Sequence, residues 1–354
     1  METLPKSHLS ERGGDYPVDI LCDVSYETLK KSSDDCLSHL QSTSACVTSW
    51  FVPPDSAKVK IKISNVARFS LFGDDDPAHT VLALVQPGEE TQLLALYLDG
   101  RWWSVADVMK TSNPSRVGLV TVQSVGERVV LFLLSQFIFG ILERPLESEL
   151  AFSLHPAGEL GKITWSNGEA VGFYTVKRKG SLCDSFTSQS YKLPVLDTLF
   201  VRRHWRRRGF ALEMLEDFCS SFGKEEALGI SNPISPSMYE VCRKYLLTHQ
   251  KQRDRLYEVE APGGWGERRS VWLQIQLSHI PKNSKEQALS LEVSKGEVNA
   301  TEDLKEEIGA SDPTAEQLSE GVGASVCDTQ KTGHKRRGTA AGGAQTSKQA
   351  KTSN

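Results

Sequence analysis

The sequence predicts a mixed α/β domain of the α+β kind followed by a long tail that has no fold. Three observations predict this. From residue 163 onward the hydrophobic periods alternate as hairpin, strand, helix, strand, helix, strand. Ser166-Asn-Gly-Glu169 lies between two alternating segments, and Asn-Gly in that setting is the strongest short hairpin signal. All seven tryptophans, and every Phe and Tyr, precede Pro281, leaving 281–354 without an aromatic residue. Such a segment buries too little apolar surface to offset its ordering entropy. The expected organisation is a flexible 1–15, a folded 16–280 and a disordered 281–354, acidic over Glu286–Asp312 and basic over Lys331–Lys351.

The elements follow in order. Ser25 is placed to cap a helix beginning at Tyr26. Val59–Ile63 alternates apolar with charged residues and reads as a half-buried strand. Val81–Val85 and Gln92–Leu98 form a hairpin about Pro87-Gly88. Val129–Leu142 is an apolar run of 14 residues, short for a bilayer and bracketed by Glu127-Arg128 and Glu143-Arg144. It reads as a buried core helix rather than a membrane span. Ile163–Val176 is the second hairpin; Pro194–Val201 is a strand, Gly209–Phe222 a helix, Ala227–Ile230 a strand, Met238–His249 a helix and Leu256–Val259 a strand.

Composition excludes more than it assigns. With 39% hydrophobic residues and net charge −4, the chain carries no strong nucleic-acid signal. Its seven cysteines are odd in number and form no C-x-x-C pair, which argues for reduced thiols and against a disulfide framework or a zinc site. The first residues are polar and lack the apolar stretch of a secretory signal.

The chemistry is concentrated in Val195-LDTLFVRRHWRRRGFALEMLEDF. A buried strand runs into Arg206-Arg207-Arg208-Gly209-Phe210-Ala211, and Leu212, Leu215 and Phe218 then recur at helical spacing. The unpartnered N–H groups at a helix start, with the helix dipole, favour phosphate. Gly209 permits close backbone approach, and three arginines add positive charge. The same residues also fit a solvated basic turn, or loose contact with nucleic-acid phosphate. His204 reads as a surface residue beside the turn.

Arg206-x-x-Gly209-x-Ala211 resembles the coenzyme A signature of the GNAT acyltransferase superfamily, with Val201 at the expected apolar strand position. That resemblance implies a GNAT-like mixed sheet flanked by helices over about 90–262. It implies acetyl-CoA lying along Leu199 and Val201 and against Arg206, Arg207, Arg208, Gly209, Phe210, Ala211 and Asn232, and it implies no metal. Tyr239, seven residues after Asn232, matches the tyrosine that protonates the departing thiolate in many members, or else packs as an ordinary helix residue. Asp197 falls where some members place an acidic residue, and is expected to share a face with Leu199 and Val201. The sequence departs in two places: Arg207 stands where members often have Gly, and the Gly-Phe that usually follows the tyrosine is missing.

Longer stretches resemble the family with sequence similarity 169, in its shorter, B-type branch. They include Ala95-LYLDGRWW, Gly126-ERVVL, Gly168-EAVGFY and Ser188-QSYKLPVLDT. This resemblance implies a nuclear or nuclear-envelope location, otherwise cytoplasmic, with partners in the lamina or chromatin. Lys335-Arg-Arg337 and Lys348-QA-Lys351 are spaced like a bipartite signal for an import receptor. Two functions stand open: a noncatalytic or weakly active nuclear scaffold, and an acetyl-CoA-dependent N-acetyltransferase acting on a protein or small amine.

Overall fold

A computed structural model describes residues 16–42, 49–54, 58–143, 154–184 and 187–278; the expected tail, the first 15 residues and the import motif lie outside them. The fold is α+β and rests on two main sheets. Strands β3 (Val66–Ser70), β4 (Thr80–Gln86), β5 (Glu89–Leu98) and β6 (Arg101–Ser104) form an antiparallel meander. Helices α1 (Pro17–Ile20) and α2 (Tyr26–Ser42) precede it, with Ser25 Oγ accepting the Thr28 N–H at the start of α2. A two-stranded ribbon, β1 (Trp50–Phe51) with β2 (Val59–Lys60), lies between α2 and the meander in the chain. The strand expected over Val59–Ile63 is thus cut short. Asn65 closes a turn by accepting the Lys62 N–H and donating to the Lys60 carbonyl.

The second sheet has seven strands: β7 (Gly118–Thr121), β8 (Leu160–Ser166), β9 (Glu169–Lys177), β10 (Val195–Val201), β11 (Leu228–Ser231), β12 (Leu256–Val259) and β13 (Arg268–Ser270). They lie side by side in chain order. The β8–β9 turn puts Asn167 and Gly168 at φ 52° and 77°, the left-handed pair a two-residue hairpin requires. Strands β10, β11 and β12 are parallel, joined through α5 (Phe210–Ser221) and α6 (Pro236–Thr248), and α7 (Val271–Ser278) closes the described chain. All three helices pack on one face, over Tyr174, Val176, Leu196, Leu228, Ile230 and Leu256.

The opposite face carries the apolar run. A short helix, α3 (Val105–Val108), comes first, and then α4 (Val125–Phe132) starts with a capping box in which Ser124 and Glu127 satisfy each other's backbone N–H. Every residue of α4 is buried, because one core joins it to Val81, Ala83 and Leu96 of the meander and to Ile163, Trp165 and Phe173 of the large sheet. That two-sided burial explains a helix apolar all round. Among the described residues, Val125–Leu142 is a helix long and apolar enough to cross a membrane, and 72% of it is buried inside the fold. From Leu133 to Leu142 it is wound as a π-helix, ending where the Glu143 N–H donates to the Ile138 carbonyl at 2.7 Å. Hydrophobic period alone predicts a helix here but cannot report that winding.

Candidate functional site

Strands β10 and β11 separate. They pair only at Val195 with Gly229 and Leu196 with Ile230, although β10 continues to Val201 and β11 to Ser231. On its other side β10 stays paired with β9 out to Val201, with a bulge between Leu196 and Thr198. Beyond the bulge, therefore, the edge of β10 that would face β11 has no strand partner among the described residues. A wedge opens toward the carboxyl ends of two parallel strands, where open α/β sheets leave room for ligands.

The bulge also corrects one expectation. Leu199 and Val201 do not share a face with Asp197: they pack toward α5–α7 with Leu196, because the extra residue resets the alternation. The Asp197 carboxylate instead accepts the Ser231 hydroxyl at 3.0 Å, which ties the two strands together at the apex of the wedge.

Arg206–Ala211 forms the turn at the end of β10. Arg207 and Gly209 take φ 63° and 98°, both left-handed, and Gly209 caps α5. Among the described residues, the backbone N–H groups of Arg207, Arg208, Gly209, Phe210 and Ala211 make no internal hydrogen bond. Consecutive free donors in a chain that alternates handedness, at a helix start, form an anion-binding concavity. A Cβ at Gly209 would touch nothing, so glycine is required there by its dihedrals alone. The arginines divide. Arg208 lies over the Trp205 ring at 4.7 Å, and neither Arg207 nor Arg208 has an ion-pair partner among the described residues. Arg206 is committed: its Nε donates to the Val201 carbonyl at 2.8 Å and its Nη2 to Glu143 at 3.1 Å. The Arg203 N–H donates to the same Glu143 oxygen at 2.6 Å.

Tyr239 and Asn232 both bond to carboxylates of β12 and the residue after it. The Tyr239 hydroxyl donates to Glu258 on β12 at 2.8 Å, and burial, with that carboxylate, pushes its pKa up to about 12. Glu258 is itself buried and also accepts the Ile234 N–H. The Asn232 amide donates to Glu260 at 3.2 Å. Asn232, Glu258, Glu260, Glu267 and Arg269 line a small cleft of about 70 Å³. A larger hollow of about 550 Å³, lined by Lys58, Lys60, Lys62 and Gln92 among others, belongs to the ribbon and meander and shares no residue with the wedge.

One group is invisible to sequence reasoning. His155, Glu159 and Asp197 bring ligand-type atoms within 4.8 Å of one another. The Lys177 ammonium lies among them, 2.5 Å from Glu159 and 4.0 Å from Asp197, and so fills the place of a cation. Burial opposes ionisation of Glu159, but His155 and Lys177 together outweigh it and hold its pKa at about 2. Burial, with Asp197 next, pushes the Tyr191 phenol up to about 12. These residues come from separate loops and strands, and no spacing links them. Only His155 and Glu159, four apart, offered a signal, and a weak one.

The chain is 47% identical to the mouse protein FAM169B over 266 residues, covering 74% of this chain and 78% of that protein. The chain belongs to the FAM169 family. It is also 47% identical to the human protein FAM169BP over 164 residues, 44% of this chain and 83% of that one. No family model matches.

Proposed function

We propose that this FAM169 protein binds coenzyme A or an acyl-coenzyme A on a GNAT-like fold, and serves as a noncatalytic or weakly active scaffold in the nucleus. The observation that carries the reading is the row of free N–H groups from Arg207 to Ala211 at the mouth of the β10–β11 wedge. A pyrophosphate presents acceptors to such a row, and the unpaired edge of β10 past Leu196 offers backbone groups to a pantetheine-like chain. Leu199 and Val201 line this stretch of strand. The scaffold part of the reading rests on Tyr239, whose hydroxyl already spends its hydrogen bond on Glu258. Nuclear entry would use Lys335–Lys351, and lamina or chromatin would supply the partners.

Calorimetry of the full chain with acetyl-CoA tests the binding. The expected result is micromolar binding, lost in the folded double variant Arg206→Glu/Gly209→Val; absence of heat at high micromolar ligand overturns the reading. Acetylation of amine acceptors should stay near the uncatalysed rate. A second reading, N-acetyltransferase, is favoured by one observation: Asp197 sits at the wedge apex with Lys177 and Ser231, where it could take a proton from an amine. Turnover that falls at least tenfold in Asp197→Asn would select this second reading.

A further inference from the structure

Three features stand out beside the wedge and the N–H row: the His155–Glu159–Lys177–Asp197 group, the acidic cleft beside Asn232, and the carboxylate of Glu143 beside the arginine turn. The first is filled by its own lysine. The second has all its buried polar groups partnered. Glu143 differs. Its side chain is 14% exposed, stands at the end of the π-helical segment, and offers one oxygen both to Arg206 of the turn and to the Arg203 N–H just before it.

We infer that Glu143 is an autoinhibitory counter-anion, an internal carboxylate that competes with the phosphates of coenzyme A for the arginine turn. The inference rests on the coenzyme-binding reading above. Arg206 is the first residue of the phosphate-binding turn, and its guanidinium faces two acceptors, the Val201 carbonyl and Glu143. It is thus turned toward the strand end and neutralised there. A diphosphate arriving at the N–H row from Arg207 to Ala211 meets a fixed negative charge next to its seat, and must either repel it or take Arg206 from it. The winding of the preceding segment supplies the aim. The π-helical closure of the Glu143 N–H onto Ile138 sets where this side chain leaves the helix, and Phe139 stacks on Phe200 of β10 at 4.7 Å to hold the two elements together. Glu169, which faces Arg202 at 3.5 Å, is the other described carboxylate paired to an arginine of this stretch, and it leaves Arg206 untouched. Displacement of Glu143 by ligand, or by a partner that binds the end of the π-helical segment, frees Arg206 for phosphate.

The test is calorimetry of the full chain with coenzyme A, comparing wild type, Glu143→Gln and Glu143→Ala, each checked for a wild-type circular dichroism spectrum. Removing one like charge at this range should tighten binding about fivefold at low salt, and the gap should narrow at high salt. Equal or weaker binding by both folded variants overturns it while leaving the coenzyme reading intact, and would make Glu143 a strut that shapes the turn. Absence of binding by all three proteins overturns both. Glu143→Ala keeps the test decisive should the glutamine restore a hydrogen bond to Arg203.

Discussion

Arg207 holds φ 63°, a conformation that costs a residue with a Cβ about 1 kcal/mol or more. The sequence marks Arg207 only as a departure from glycine; the dihedral supplies the reason glycine suits that position. Arg207→Gly should therefore raise thermal stability, by about 1 kcal/mol before the flexibility of glycine is subtracted, and a fall in melting temperature would contradict this. Glu159 makes a prediction about acid. Its folded pKa is about 2 against an ordinary 4.5. A depressed carboxylate stabilises the fold fully above the unfolded value and loses that contribution as pH falls through the folded one. About 3 kcal/mol should therefore disappear between roughly pH 4.5 and 2. Lys177→Met leaves Glu159 buried with one fewer partner, and should cost several kcal/mol at neutral pH while flattening that acid limb. Denaturant titrations across this range check both. None of these partners could be paired from sequence, since Glu159, Lys177 and Asp197 meet only because β8, β9 and β10 lie side by side.

At the scale of elements, the signals that succeeded are local. Asn167-Gly168 dictates its turn, and Leu215 and Phe218 fall in the buried stripe of α5 with Met214 and Cys219, while Leu212 is partly buried beside it. Those that failed depend on neighbours. Strand β13 is Arg-Arg-Ser, with no apolar residue, and exists because β12 offers it an edge. Strand β7 is four residues beginning with glycine, too short to alternate visibly. The bulge that turns Asp197 away from Leu199 leaves no trace in composition. Packing of α1 on α4 is close enough to predict a failure: a Cβ on Gly126 would sit 2.8 Å from the Val18 carbonyl oxygen. Gly126→Ala should push the two helices apart and cost about 1–3 kcal/mol, read as a lowered unfolding midpoint with unchanged m-value. Tyr239→Phe should cost about 1–3 kcal/mol by leaving Glu258 short of a donor. It should leave coenzyme A affinity unchanged, because the hydroxyl serves β12 rather than the wedge.

Across the whole molecule, two sheets share one core through the α4 and π-helical segment, and the large sheet opens at its centre. The α+β class and the strand–turn–helix at 195–221 were legible because they rest on periods and turns. The division into a meander and a seven-stranded sheet was not, because no sequence period tells which strands are neighbours across a crossover. The free N–H row is a property of this larger arrangement. It forms past the end of β10, beside a strand that has parted from it, and its donors have no internal partner among the described residues. Amide NMR of the full chain titrated with coenzyme A tests it most directly. The prediction is that the resonances of Arg207–Ala211 shift most and that their hydrogen exchange slows on saturation. Unmoved amides at Arg207–Ala211 under saturating ligand, or shifts confined to other parts of the fold, would contradict it.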